Sequence, residues 1–278
     1  MRLYRTPLAA VVENDGLFYS LKNQNWDTLI NDDSLYQKIA SGISSMKPDK
    51  EAEALVKADL LPPIQSQEVW ASGVTYYRSK VGRQEEAKAS GGGDFYERVY
   101  AAERPELFFK ATASRVVGHL GKVRIRKDST WDVPEPELTL VITQHGKIVG
   151  YTIGNDMSSR SIEGENPLYL PQAKTYDGSA SIGPCIYVTD KPLPPNTVIS
   201  LKILRKGDSM FEGNVAINQI VRKFEDLVSF LYRGCSFPHG SFLMTGTGIV
   251  PGSDFTLQAG DEIHITIDHI GTLVNTVA

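Results

Sequence analysis

Trp131–Arg160 reads WDVPEPELTLVITQHGKIVGYTIGNDMSSR. Two apolar, β-branched runs, Leu138–Thr143 and Ile148–Ile153, flank the short link Gln144-His145-Gly146-Lys147. Two such runs around a glycine-containing link signal a β-hairpin. His-Gly is a weaker turn pair than Asn-Gly, but His tolerates positive φ better than most residues. With His145 and Gly146 as the loop, Gln144 faces Lys147. The register then sets Glu135 opposite Asp156 and Glu137 opposite Gly154. Residues two apart share a strand face, so Glu135 and Glu137 point the same way. Directly opposed residues hold their Cβ atoms about 4.5–5.5 Å apart, so three carboxylates converge at the open end of one hairpin. Such anions repel unless a positive charge sits among them. A hard divalent cation, Mg²⁺, Mn²⁺ or Ca²⁺, resolves the conflict. So does a solvated acidic mouth with Lys or Arg partners. The residues alone leave both readings open, and a single bulge would break the register.

Working outward, 278 residues suit one large domain, or a small one plus a large one. The chain is long enough to bury a core without disulfides. A net charge of −4 gives no basic surface for nucleic acid or an anionic membrane. Cys185 and Cys235 make no framework and read as small buried hydrophobes. No apolar run reaches the length of a membrane span. The apolar patch Leu8–Val12 is followed at once by Glu13 and Asp15, unlike a signal peptide. The expected setting is reducing and cytoplasmic.

Residues 1–62 read as a small N-terminal α/β domain. Strands are expected over Arg2–Val12 and Leu17–Leu21, around the turn Asn14-Asp15-Gly16, and short helices over Ser34–Ala40 and Glu51–Ala58. Leu61-Pro62-Pro63-Ile64 is a linker, because paired prolines stop regular structure. Residues 63–278 read as the catalytic domain. A strand over Val69–Tyr76 leads into a charged helix, Arg78–Ala89, then three glycines and a helix over Phe95–Ala102 capped by Asp94. That sequence suits a movable lid or a plain surface excursion. Strands follow at Val198–Leu204, Phe211–Ile217 and Glu262–Ile267, with one helix near Phe224–Tyr232. Met244-Thr245-Gly246-Thr247-Gly248 is a tight loop that lacks the Lys and helix of a P-loop. No βα alternation supports a Rossmann fold. The fold class is α+β and β-rich, with peripheral helices.

Taken in order, these motifs resemble the fumarylacetoacetate hydrolase family over residues 68–278. The matching segments are Glu135-Pro136-Glu137-Leu138, Gly150–Asp156, Ser158-Ser159-Arg160, Lys174 with Gly183-Pro184, Thr245-Gly246-Thr247 and Ile270–Asn275. The resemblance implies a mixed β-sandwich or roll, and a divalent metal, Mg²⁺ above all, on Glu135, Glu137 and Asp156. C–C hydrolases of the family carry Asn-Tyr-x-x-His after the first strand. Here that stretch is Thr75-Tyr76-Tyr77-Arg78-Ser79, without the His. Arg104–Thr112, Glu165–Gln172 and Ile249–Gly252 are similar instead to the family's 2-keto-3-deoxy-D-arabinonate (pentonate) dehydratase branch.

That branch implies water loss from a small 2-keto-3-deoxy sugar acid, giving 2,5-dioxopentanoate from a pentonate. Lys174 is the expected partner of the C3 proton or the enolate, or else a cation balancing the acidic cluster. Glu106 is the candidate to handle the departing C4 hydroxyl. Arg160, four residues past Asp156, either holds the carboxylates or touches substrate. Ser72, Gly73 and Thr245 are candidates for binding the substrate carboxylate. His119 reads as structural and His145 as a surface turn residue. The resemblance further implies a homodimer or homotetramer. The alternatives are a metal-dependent C–C hydrolase or decarboxylase of a β-diketo or 2-keto acid, and a non-catalytic metabolite-binding protein.

Overall fold

The hairpin forms, and two sheets are built out from it. The computed structural model describes residues 1–76 and 98–278. The expected helix Arg78–Ala89, the three glycines and the Asp94 cap lie outside the described residues, and with them the lid expectation. Residues 98–101, the described end of the expected Phe95–Ala102 helix, are helical. The elements are β1 (Arg2–Arg5), β2 (Ala10–Asn14), β3 (Leu17–Leu21), α1 (Trp26–Ile30), α2 (Leu35–Ser44), α3 (Lys50–Ala58), β4 (Glu68–Gly73) and β5 (Glu106–Thr112). They continue with β6 (Val116–Val117), β7 (Lys122–Val123), β8 (Asp132–Ile142), β9 (Ile148–Ser159), α4 (Arg160–Glu165), α5 (Leu170–Lys174) and β10 (Ala180–Tyr187). The last are β11 (Val198–Arg205), β12 (Asp208–Ala216), α6 (Phe224–Leu231), β13 (Ser241–Met244), β14 (Glu262–Ile267) and β15 (Gly271–Val277).

The large sheet runs β3-β2-β1-β10-β9-β8-β13-β4-β5, and β6 pairs with β10. That last pairing shapes the molecule. β6 follows β5 closely in sequence yet joins β10, so the sheet curls back on itself as a mixed roll. The second sheet, β12-β11-β14-β15-β7, covers one face of the first. All 11 residues of β8 are buried, because both of its faces are covered. That explains why its apolar residues do not simply alternate with polar ones.

The register beyond the turn is as read from sequence: Glu135 pairs with Asp156, Glu137 with Gly154 and Val141 with Gly150. The turn itself differs. Gly146 N–H donates to Thr143 O at 2.9 Å, and Thr143 N–H to Lys147 O at 2.9 Å. Only Gly146 takes positive φ, at 76°, and His145 does not. The link is thus a three-residue loop closed by a left-handed glycine, which slips the register by one. A bulge before Val141–Gly150 restores it. The two deviations cancel, and the carboxylates end where a two-residue loop would have put them.

The expected single strand Arg2–Val12 breaks at Pro7, where Thr6 N–H donates to Ala9 O. The N-terminal strands continue the large sheet through β1 on β10. Leu29, Leu35 and Ile39 of α1 and α2 share a core with Val69, Val141 and Phe242. α1, unforeseen in the sequence, is nucleated by Asn25, whose side chain accepts from Thr28 N–H at 3.0 Å. No described helix is long and apolar enough to cross a membrane.

Of the two cysteines, Cys185 is buried and Cys235 exposed. Sequestration pushes the Cys185 thiol up to about 12, and the thiolate is the reactive form. A disulfide-exchange reagent at pH 8 is expected to titrate one thiol per native chain and both after unfolding. Two fast thiols in the native protein would contradict this packing.

Candidate metal centre and active site

The roll brings one oxygen each from Glu135, Glu137 and Asp156 within 4.8 Å of one another, all three side chains buried. Burying carboxylates costs several kcal/mol each unless they are paired, so their partners define the site. Glu135 accepts from Arg160 Nη1 at 2.6 Å and from Lys174 Nζ at 2.6 Å. Asp156 faces Lys110 Nζ at 2.5 Å and Lys174 Nζ at 3.3 Å. Glu137 accepts from Gly246 N–H at 2.5 Å, and among the described residues no cationic side chain reaches it. Burial, and then the charges of Asp156 and Glu135, push the Glu137 carboxyl well above the usual carboxylate range. A buried set of hard oxygens with one member short of positive charge fits a divalent cation such as Mg²⁺. Of the two readings the hairpin left open, the solvated acidic mouth does not form.

The local chain explains these positions. β9 runs straight into α4, because Ser159 Oγ accepts from Ile162 N–H at 3.4 Å and caps the helix. Arg160 therefore turns back toward Glu135, with its guanidinium 5.7 Å from the Trp131 ring. The structure gives Arg160 a carboxylate-holding contact. Asn166 caps the turn at Pro167–Tyr169, and α5 follows, placing Lys174 at its last position. Lys174 Nζ also donates to Ser158 Oγ at 2.5 Å. Ser158 lay in plain view in the Ser-x-Arg segment, but nothing in sequence signalled its contact with Lys174.

Glu106 pairs with Gly73 across β4 and β5. A Cβ at position 73 would collide with the Glu106 carboxylate, so the glycine makes room for it. Gly73→Ala is expected to displace the Glu106 carboxylate and, if that carboxyl handles the departing hydroxyl, to lower kcat by about tenfold to a hundredfold, part of the roughly hundredfold to ten-thousandfold that a positioned acid contributes. Mg²⁺ affinity should not change, and steady-state kinetics beside a metal titration check this.

Ser72 Oγ–H donates to Glu106 O at 3.0 Å. Thr245 donates both its N–H, at 3.0 Å, and its hydroxyl, at 2.9 Å, to Leu138 O. The hydroxyl hydrogens of both residues are thus committed to backbone. The donor that the Thr-Gly-Thr loop turns inward is Gly246 N–H, at φ 92°. A Cβ there would strike Thr75 Oγ1, whose hydroxyl donates to Thr245 O at 2.7 Å. Tyr76 is buried and bridges to Ile220. His119 Nδ1 accepts from Val274 N–H at 3.1 Å, and His145 is an exposed turn residue beside Asp33.

Sequence reading passed over Lys110. It is 0% exposed, and its Nζ reaches Asp156 Oδ1, Met157 O and Lys174 O. Burial pulls its ammonium below the ordinary value, and Asp156 opposes that pull.

A family model described as fumarylacetoacetate (FAA) hydrolase C-terminal matches residues 75–278. The 2-dehydro-3-deoxy-D-arabinonate dehydratase of Saccharolobus solfataricus is 48% identical over 217 residues, which cover 77% of this chain and 73% of that one. A Haloferax volcanii protein named "Probable 2-keto-3-deoxyxylonate dehydratase" is 47% identical over 226 residues, covering 81% of this chain and 77% of that one. A solved 2-keto-3-deoxy-D-arabinonate dehydratase complexed with magnesium and 2,5-dioxopentanoate superposes with a TM-score of 0.84 at 38% identity. It covers 100% of this chain and 98% of that one. The fold, the buried carboxylate set and these likenesses agree, and the chain belongs to the fumarylacetoacetate hydrolase family.

Proposed function

We propose that the protein is a Mg²⁺-dependent hydro-lyase that dehydrates a 2-keto-3-deoxy pentonate, 2-keto-3-deoxy-D-arabinonate in the first instance, to 2,5-dioxopentanoate. The observation that carries this reading is a buried hard-oxygen metal set with Lys174 placed directly on it. It occurs in a chain similar along its full length to a dehydratase solved with magnesium and that product. Residues 63–278 carry the chemistry in this reading, and residues 1–62 form the small N-terminal unit.

Glu135, Glu137 and Asp156 hold the ion, which supplies Lewis-acid polarisation of the substrate's keto group. Arg160 fixes Glu135, and Gly246 N–H fixes Glu137. Lys174 Nζ, a neutral amine once the ion's charge stands beside it among the same carboxylates, takes the C3 proton. Glu106, half-buried at the start of β5, gives a proton to the departing C4 hydroxyl, because hydroxide leaves poorly. One water is lost, leaving a C3–C4 double bond; a proton then moves from C5 to C3 to give the C4–C5 enol, which takes a proton at C4 and becomes the C5 aldehyde. Gly73 shapes the wall beside Glu106. Ser72 and Thr245 commit their hydroxyl hydrogens to Glu106 O and Leu138 O, so in this reading they shape the site without donating to the substrate carboxylate.

The test is incubation with Mg²⁺ and 2-keto-3-deoxy-D-arabinonate, followed by NMR. The expected product has lost one water and shows an aldehyde. Cleavage into two carbon fragments, or an unchanged substrate, would overturn the reading. We further propose a cytoplasmic location and a homodimer or homotetramer, the oligomer supported by the exposure of large apolar side chains such as Leu120 at 71% and Leu168 at 83%. A monomer by light scattering would overturn the oligomer.

A further inference from the structure

Lys110 sits where strand, helix and metal set meet. β4 and β5 pair Val69 with Ala111 and Trp70 with Phe109, which leaves Lys110 as an extra residue off the ladder. A bulge re-aims a side chain, and this one sends Lys110 into the roll. An ammonium has three protons, and three oxygens meet this one: Asp156 Oδ1 at 2.5 Å, Met157 O at 2.9 Å and Lys174 O. The first two belong to β9 and the third to the end of α5. α5 has only 5 residues, and helices leave their last carbonyls without partners. Lys110 supplies that partner as a cation at the helix C-terminus, where positive charge is favoured. A second tie runs alongside, since Thr175 Oγ1–H donates to Phe109 O at 3.1 Å. Phe108, two residues before Lys110, places its ring 5.8 Å from Lys174 Nζ.

We propose that Lys110 is a positioning residue: its ammonium fixes the backbone of Lys174 against Asp156, and so sets the distance between the proton-handling amine and the metal ligands. The proposal rests on the dehydratase reading. In this proposal Lys110 acts through Lys174 and Asp156, the groups its Nζ contacts, and not on the substrate. It is an internal strut that joins the two halves of the site. Its role is that of a fixed cation with three donors at one point, which neither an uncharged chain of equal length nor a planar guanidinium reproduces.

The test compares Lys110→Met with the wild type by circular dichroism, by Mg²⁺ calorimetry without substrate, and by kinetics. Positioning predicts a folded protein whose kcat falls by about a hundredfold, the upper range for an outer partner of a metal ligand. KM should stay within about threefold, and Mg²⁺ affinity within about tenfold. A folded variant with kcat within about threefold of wild type overturns the proposal. So does a loss of Mg²⁺ binding that accounts for the whole loss of rate. If Lys110→Met does not fold, Lys110→Arg keeps the charge and takes its place, with the same split expected. Normal kcat in Lys110→Arg, or failure of both variants to fold, also overturns it, the second because the lysine would then serve the fold as a whole. Absence of dehydration by the wild type would instead sink the functional reading, so the two failures are distinct.

Discussion

Glu137→Ala is expected to lose Mg²⁺ binding and turnover together. Glu137 belongs to the buried set, held by Gly246 N–H and opposite Gly154. Even partners that only touch a metal's ligands are worth up to about a hundredfold in affinity, so loss of a ligand should exceed that. Lewis-acid polarisation contributes several kcal/mol, and kcat should fall by about a thousandfold or more. The same carboxyl makes binding depend on pH. Its folded-state pKa is raised, so the metal-free protein keeps a proton there to higher pH than an ordinary carboxyl, and Mg²⁺ binding competes with that proton. Affinity should therefore rise with pH, by up to about tenfold per unit, until that proton is gone. The sign for stability is opposite. The folded metal-free chain binds this proton more tightly than the unfolded chain, so that contribution is present at low pH and lost as pH rises through the folded pKa. The Tm difference between Mg²⁺ and a chelator should widen from pH 5 toward neutrality. A difference that is flat or narrows would contradict the assignment. Glu137→Ala should lack the pH-dependent part.

Lys174→Ala is expected to separate binding from chemistry. Lys174 touches Glu135 and Asp156 but is not itself a ligand. Removing its positive charge leaves the carboxylates intact, so Mg²⁺ should still bind, and at least as tightly. A general base or acid contributes on the order of a hundredfold to ten-thousandfold, and kcat should fall within that range while KM moves little. Calorimetry for the metal and steady-state kinetics for the rate make the comparison. Normal kinetics in a folded Lys174→Ala protein would remove the lysine from the reaction. Loss of metal binding would make it a structural cation.

The metal set was legible in sequence because strands alternate with a strict period of two. Once Gly146 marks the turn, Glu135, Glu137 and Asp156 follow. The reading survived a wrong turn type only because the loop and the bulge offset each other, and no residue pattern announces that cancellation. The interruption at Pro7 was readable, since proline suits the second position of a tight turn. Lys110 was not. Its place depends on the bulge at β4–β5 and on closure of the roll through β6, both long-range packing outcomes. The Thr-Gly-Thr loop drew notice for its small residues, but the direction of its donors reversed the expected emphasis. Gly246 N–H faces the metal set, whereas the Thr245 donors face Leu138. Residue types bring candidates together, and backbone pairing decides which atom each one presents.

The central claim is that Glu135, Glu137 and Asp156 form one divalent metal site that binds the 2-keto acid end of a substrate. The direct measurement is anomalous diffraction from crystals grown with Mn²⁺ and pyruvate. The account predicts a single strong peak among the three carboxylates, with the keto and carboxylate oxygens of pyruvate completing the coordination. A peak elsewhere, no peak, or pyruvate bound away from the ion would contradict it.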